Sequence, residues 1–404
     1  MIANCNAVEM SGRTRLPLPS VPATMGAFFA ARLCLTYLFF QADPRQGTIV
    51  DSALNMLLFS VVAFGSFGPA HVTFLSPMRV TCFRWVVAFL GVSLCSLFWS
   101  ETVSVSVALA YWCGMAADVV MVLLLLRAGP AEEIASRLVK GYVAGACIVA
   151  CVMWLSPTMR DLRPGNDQFF SPNAIGFTCA FGVFLAQFLI LSARAWRFPA
   201  IFLAISLLRS LSKTTLIAFL ASELLLLFIS TAIRRRTKLL IVAAGVTVVA
   251  AFSSLIAAYY EVYTNAGNQA ETLTGRIGIW AFILERSLER PWLGHGFDAV
   301  WKVIPPFGSD QFETWHAHNE LLQQFYAYGV VGVVLLIGIY GSFYRQIRRV
   351  SRPELKTLLA GLIVFIVIRG LGDTERFDLS MPLWSIALLS LTLAALERPI
   401  GETL

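Results

Sequence analysis

Charge is what this chain has least of. Of its 404 residues only 14% are Asp, Glu, Lys or Arg, against roughly 25% in an ordinary soluble domain. The shortage runs along the whole length, and so few charges cannot build a water-facing surface for a chain of this size. Paired cysteines are missing too. All eight cysteines (Cys5, Cys34, Cys82, Cys95, Cys113, Cys147, Cys151 and Cys179) lie in the first half, mostly in apolar runs and never as CxxC. That excludes a zinc or disulfide framework and leaves them as small packing residues in helices. No GxSxG elbow precedes a helix, so Ser/His/Asp hydrolysis has no support. No internal repeat of the kind that marks many transporters is visible.

What is present is apolar sequence, 57% of the residues with a mean hydropathy of +0.72. The net charge of +7 invites a nucleic-acid partner, but the basic residues sit in short loops between apolar segments, which membrane topology explains better. No nucleic-acid partner is expected. A spanning helix needs ~20 mostly apolar residues. Segments of that kind fall at 24–41, 49–68, 80–99, 103–126, 139–157, 173–192, 197–211, 214–231, 238–257, 320–343, 357–371 and 381–396. The pattern predicts an all-α, polytopic integral membrane protein with about twelve transmembrane helices.

The loops orient it. With the N-terminus in the cytoplasm, the inside loops hold Arg79 and Arg84; Arg127, Arg137 and Lys140; Arg194 and Arg197; Arg234, Arg235, Arg236 and Lys238; and Arg345, Arg348, Arg349, Arg352 and Lys356. The short outside loops are poor in basic residues, which is the positive-inside pattern. The expected organisation is a cytoplasmic tail at 1–23, spans one to nine over 24–257, a large outer loop at 258–319, spans ten to twelve over 320–396, and a cytoplasmic tail at 397–404. The Pro-containing tail reads as disordered, and its late apolar run does not suit a cleaved signal peptide. Within the large loop, residues 276–290 read as an amphipathic helix, with Ile277, Trp280, Ala281, Leu284 and Leu288 on its apolar side, Thr274 as cap and Pro291 after its end. Such a helix lies on the membrane surface or caps a cavity.

Chemistry concentrates in Trp315-His316-Ala317-His318-Asn319-Glu320, just before the tenth span. An imidazole there can hold or move a proton; the plain alternative is a solvated histidine at a helix entrance. His316 and His318 are two residues apart and so do not share a helix face. An extended segment could bring them together, with Glu313 or Glu320 as a third metal ligand, but no other cluster supports a metal and no cofactor is expected. Basic residues near the outer side form a second group: Arg276, Arg163, Arg209 and Lys213. Guanidinium groups bind diphosphate bidentately; the alternative is snorkelling to lipid headgroups. Asp373-Thr374-Glu375-Arg376 forms an acidic outer turn, or simply a solvated loop. Together these features describe an outward-facing polar site for an anionic lipid headgroup, without naming a reaction.

His318-Asn319, nine residues, then Gly329-Val330-Val331-Gly332 resembles the His-Asn…Gly-x-x-Gly signature of the O-antigen ligase and polymerase superfamily. Thr272-Leu273-Thr274-Gly275-Arg276-Ile277-Gly278 with Pro291-Trp292-Leu293-Gly294-His295-Gly296 resembles the segment leading into its histidine loop. Phe98-Trp99-Ser100-Glu101 and Ser171-Pro172-Asn173-Ala174-Ile175-Gly176 are weaker landmarks, and Asp373-Thr374-Glu375 is similar to the exopolysaccharide polymerase branch. These landmarks cover most of the chain. Where such proteins often carry Ser-Arg-x-x-Leu, this one has Ser212-Lys213-Thr214-Thr215-Leu216, which keeps the charge and loses the bidentate fork.

The resemblance implies metal-independent glycosyl transfer on the periplasmic face of a bacterial inner membrane. The donor would be an oligosaccharide on undecaprenyl diphosphate, and a chain-length regulator would be a further partner. It implies His318 as base; Arg276, with Arg163, Lys213, Arg209 and His316, as the diphosphate and glycan cradle; and Glu375 as positioner of histidine or acceptor. On the residues alone, Asn319 reads as the cap of the tenth helix, and Gly329 and Gly332 as allowing close helix packing. Polymerase is the first reading, ligase onto lipid A-core or protein the second, and a transporter the different-class alternative.

Overall fold

The structure is a computed structural model that describes residues 21–40, 44–66, 77–159, 162–165, 170–230, 233–265, 273–299, 316–374 and 380–396. The described residues are helical apart from turns and one isolated bridge, Thr158 to Pro164. In chain order the helices are α1 (Val21–Ala31), α2 (Leu33–Phe39), α3 (Pro44–Gly65), α4 (Thr81–Ser96), α5 (Val105–Ala128), α6 (Ala131–Leu155), α7 (Pro172–Ile190), α8 (Arg197–Ser210), α9 (Lys213–Ile229), α10 (Arg235–Ala251), α11 (Ser253–Asn265), α12 (Leu273–Glu289), α13 (Glu320–Arg349), α14 (Pro353–Gly372) and α15 (Ser380–Leu396).

Five of them, α5, α6, α7, α13 and α14, are long and apolar enough to cross a membrane. The bent pairs α1–α2 (61°) and α10–α11 (54°) raise the number to seven, and shorter apolar helices occupy Ile49–Gly65, Thr81–Ser96 and Pro382–Leu396. The protein is an all-helical, polytopic membrane protein.

Packing follows composition. α7 buries nearly every side chain from Pro172 to Ala186, as expected of a helix apolar all round. α6 meets α1 at backbone contact: a Cβ on Gly141 would lie 1.9 Å from the Ala23 carbonyl oxygen, and one on Gly145 2.4 Å from that of Ala27. Gly141 and Gly145 are the small residues, four apart, that let two helices approach so closely.

Two details differ from expectation. The helix that begins at Glu320 does not run straight. Gly329, with φ +62° and ψ −150°, breaks α13, and the Tyr340 hydroxyl donates to Glu320 Oε1 at 2.9 Å. A straight helix would hold residues 320 and 340 about 30 Å apart, so the first nine residues fold back against the rest. The continuous apolar helix is 330–349, which at about 30 Å still matches the hydrocarbon core. Gly329 also serves a loop and not a helix pair, since its Cβ would lie 2.4 Å from the Trp292 carbonyl carbon. The break frees backbone groups that the 291–296 turn satisfies. His295 N donates to Tyr326 O (2.9 Å), Gly296 N to Ala327 O (2.8 Å) and Val330 N to Pro291 O (2.8 Å).

The second difference concerns α12. It spans nearly the expected residues and ends before Pro291, but it starts at Leu273, so Thr274 lies inside its first turn. Its buried side is Arg276, Ile279, Ile283 and Ser287, while Ile277, Leu284 and Leu288 are exposed. The helix is apolar on two sides, and the one carrying Arg276 turns inward because the guanidinium finds acceptors there.

Candidate functional site

The two ends that meet at the site are tied by one side chain. Asn319 caps α13 by accepting from Leu322 N at 3.1 Å, as its position predicts, and its amide donates to the Leu371 carbonyl at 2.9 Å. Orphan groups at the start of α13 and the end of α14 are thereby satisfied together. This brings His318 against Asp373, the residue that closes α14.

His318 Nδ1 lies 2.9 Å from Asp373 Oδ1, and both side chains are almost fully buried. A carboxylate can only accept, so Nδ1 carries a hydrogen, and in the neutral ring the lone pair is then on Nε2. His318 has φ +50°, a left-handed backbone that a non-glycine residue holds only when its surroundings impose it. The non-helical stretch through 316–319 also brings the two imidazoles to a ring separation of 4.1 Å, which helical spacing would have forbidden. His316 Nε2 is 3.7 Å from the same Asp373 oxygen, and Arg369 lies 3.6 Å from the other. Arg369 is itself stacked 3.7 Å above the Phe177 ring.

These neighbours set the charges. Burial alone would push the Asp373 carboxyl up, but the neighbouring His316, the hydrogen bond of His318 and the charge of Arg369 outweigh it and hold the group well below the usual carboxylate range. Burial and the adjacent His318 push His316 down to about 4, against the pull of Asp373. At neutral pH Asp373 is therefore charged and His316 neutral.

Arg276 reaches the same place from α12. Its Nη1 donates to Thr214 Oγ1 at 3.1 Å and to the carbonyl of Gly372, next to Asp373. Among the described residues its Nε has no hydrogen-bond partner, nor does the Nε of Arg369 or the Nδ1 of His316. Beside Asp373, between Phe177, Glu320, Arg369 and Thr374, a cleft of about 10 Å³ remains, room for about one water molecule.

The other basic residues are arranged less tightly. Lys213 precedes Thr214 but lies over the rings of Tyr260 (5.0 Å) and Tyr259 (5.9 Å). Arg209 turns to the stretch before α7, donating to Leu162 O at 3.1 Å with its guanidinium 6.0 Å over Trp154. Arg163 is buried in that stretch. Glu375, Glu313 and Trp315 lie outside the described residues. The carboxylate on His318 is that of Asp373, in the acidic turn the sequence marks but two positions before Glu375, the residue the resemblance favours. Arg369 and Tyr340 escaped the sequence reading. Arg369 is the lone charge in the apolar run 357–372, and a charge at membrane depth is itself a signal of function.

His316, His318 and Asp373 each offer a ligand atom, all within 4.8 Å of one another. Three such donors can begin a divalent-metal site. Arg369 at 3.6 Å and Arg276 on the neighbouring carbonyl oppose a cation there by charge, and favour an anion.

Residues 198–337 match the family described as O-antigen ligase. Over 119 residues the chain is 29% identical to an O-antigen ligase of Pseudomonas aeruginosa, covering 30% of this chain and 28% of that protein. Over 128 residues it is 25% identical to a Rickettsia conorii protein named as a polysaccharide ligase, covering 29% and 31%. The chain spans less than a third of the length of either relative. The matched family segment holds Arg209, Lys213, Arg276, His316 and His318, whereas Arg163, Arg369 and Asp373 lie outside it.

Proposed function

We propose, from the O-antigen ligase family domain across residues 198–337 and the site built around it, that this protein is a membrane glycosyltransferase. It joins undecaprenyl-diphosphate-linked oligosaccharide repeat units on the periplasmic face, as an exopolysaccharide or O-antigen polymerase. Under this reading about twelve helices cross the inner membrane with both termini cytoplasmic. The observation that carries it is the His318–Asp373 pair, held through Nδ1 and placed beside Arg276 where three helix ends meet.

The acceptor hydroxyl oxygen attacks the anomeric carbon of the donor. The bond from that carbon to the diphosphate oxygen breaks, its electron pair leaves with the lipid diphosphate, and the hydroxyl proton passes to His318 Nε2. Asp373 fixes the ring and offsets the charge it gains, a general-base contribution of about 10²–10⁴-fold. Arg276, with Arg369 and Lys213 near by, stabilises the negative charge growing on the diphosphate. Nothing in these steps calls for a metal.

The test uses the protein and its His318→Ala variant in nanodiscs, with the lipid-linked oligosaccharide as donor and products run on a gel with and without EDTA. A ladder from wild type, untouched by EDTA and absent from the variant, supports the reading. One product from a single transfer to lipid A-core or protein replaces polymerase by ligase. An EDTA-sensitive ladder returns the metal. No coupling to any acceptor, with movement of donor across the membrane, makes the protein a transporter.

A further inference from the structure

A second charged cluster holds the far end of α12, away from the residues just described. After α12 the chain turns through Pro291-Trp292-Leu293-Gly294-His295-Gly296 into a socket with two walls. One wall is the break in α13. The other is the turn between α4 and α5, where Glu101 N donates to His295 O at 2.9 Å. There too Phe297 N donates to Ser96 Oγ at 3.0 Å and Trp99 Nε1 to Leu293 O at 3.3 Å. Gly296 is required by this fit: it has φ +95°, and a Cβ would lie 2.4 Å from Ser100 Cα.

His295 sits at the centre, its side chain 2% exposed and its ring stacked on Tyr326 at 4.5 Å. Nε2 is 2.9 Å from the Arg286 carbonyl in the last turn of α12. That oxygen can only accept, so Nε2 carries a hydrogen, and a donor at a helix C-terminus is favourably placed. Nδ1 lies 3.2 Å from Glu101 Oε2, an ion-pair distance without hydrogen-bond geometry, and Arg290, just beyond α12, is 3.0 Å from Glu101 Oε1. The neighbouring Arg286 side chain is occupied by Glu289. One carboxylate from the α4–α5 turn thus grips the end of α12 through two groups.

We propose that Glu101 and His295 form a clasp that fixes α12 and so sets Arg276 and His318 for the donor diphosphate. Both are positioning residues, and the proposal rests on the transferase reading above. α12 is a bar about 25 Å long, with Arg276 near one end and the clasp at the other. Tyr326, under the His295 ring, belongs to the same small core as Ile279, Ile283 and Ala317. Ala317 stands between His316 and His318, and its carbonyl accepts from Trp280 Nε1 at 3.0 Å. Opening the clasp releases one end of the bar and loosens the core beneath the histidines.

The experiment compares wild type with Glu101→Gln, His295→Gln and the double variant, all full-length in nanodiscs. Two readouts are taken: donor KM and kcat, and backbone hydrogen exchange over 273–289. Glu101→Gln takes the carboxylate away from His295 and Arg290, and His295→Gln takes the imidazole away from Glu101. The double variant leaves two amides that can bond each other and the Arg286 carbonyl. The expected result is a donor KM raised about tenfold or more in each single variant, kcat less affected, faster exchange in α12, and a double variant within about threefold of wild type. Unchanged exchange overturns the clasp. Faster exchange with unchanged donor KM overturns its positioning role, as does a double variant showing the product of the two single effects. Should wild type transfer no sugar, the transferase reading falls, while exchange still decides whether the clasp exists.

Discussion

Asp118 and Asp373 are both buried aspartates beside an arginine, and they differ in what else surrounds them. Asp118, in the middle of α5, receives Arg32 at 3.0 Å and the Asn55 amide at 3.0 Å, at the point where α1 bends into α2. Each of its oxygens has a donor, and the groups left over beside it among the described residues, Asp51 Oδ1 and Asn55 Oδ1, are acceptors. Asp373 closes a helix, holds two histidines and an arginine, and faces a backbone strained at His318. Nitrogen atoms around it, on His316, Arg276 and Arg369, have no hydrogen-bond partner among the described residues. A buried charge whose own oxygens are both paired, with only acceptors to spare around it, serves the fold. One whose surroundings keep guanidinium donors in reserve is prepared for an anion that arrives.

The sharpest way to break this comparison is to remove one member of each cluster. His318→Ala is expected to lower glycosyl transfer by about 10²–10⁴-fold, with a smaller loss of stability than at Asp118 because His316 and Arg369 stay beside Asp373. A variant that keeps its rate while folding normally would take the base away from His318. Asp118→Ala should do the reverse. It takes the bonded carboxylate from Arg32 and the Asn55 amide and leaves Asp51 as the acid beside them, a loss of about 3 kcal/mol in stability. Activity per folded molecule should stay within about threefold of wild type, because nothing in that cluster touches the site. A large loss of activity without a loss of stability at Asp118 would erase the distinction between the two aspartates.

The next effect is smaller and concerns geometry. Arg276→Lys keeps the charge at the Asp373 side but loses the planar fork that can grip a diphosphate while holding Thr214 and Gly372. Donor KM is expected to rise about ten- to a hundredfold with a modest change in kcat. An unchanged donor KM would make Arg276 a strut between α9, α12 and α14.

The two aspartates were also unequally legible. Apolar length and loop charge marked the helices, and α12 falls within a few residues of its expected position. Asn319 as cap was readable because a cap depends on its neighbours in sequence. The inward side of α12 was not: Ile277, Leu284 and Leu288 make as good an apolar stripe as Ile279 and Ile283, and only the distant acceptors for Arg276 decide between them. The break at Gly329 was hidden for the same reason, since its cause is the 291–296 turn that docks there. The choice of Asp373 over Glu375 depends on where the last turn of α14 ends, within the error of any boundary read from sequence. Asp118 and Arg369 could have been noticed as charges in apolar runs. Their roles could not, because one pairs across 86 residues and the other within a single turn.

The smallest expected effect separates the two clusters by pH. Asp373, held below the ordinary range, contributes stability that is present above the unfolded carboxyl value and is lost as pH falls through its own lower one. His316, pushed down to about 4, resists protonation in the fold while the unfolded chain takes a proton near its ordinary value of about 6.5. The folded state is therefore penalised as pH drops from about 6.5 towards 4, by about 1 kcal/mol at pH 6. Unfolding followed from pH 8 to pH 5 should show the decline in wild type, and His316→Asn should flatten it. The Asp118→Ala variant, weaker throughout, should keep the wild-type slope, because the histidine that titrates belongs to the other cluster. A His316→Asn variant that declines as steeply as wild type would move the acid sensitivity elsewhere and leave Asp373 with one histidine that matters.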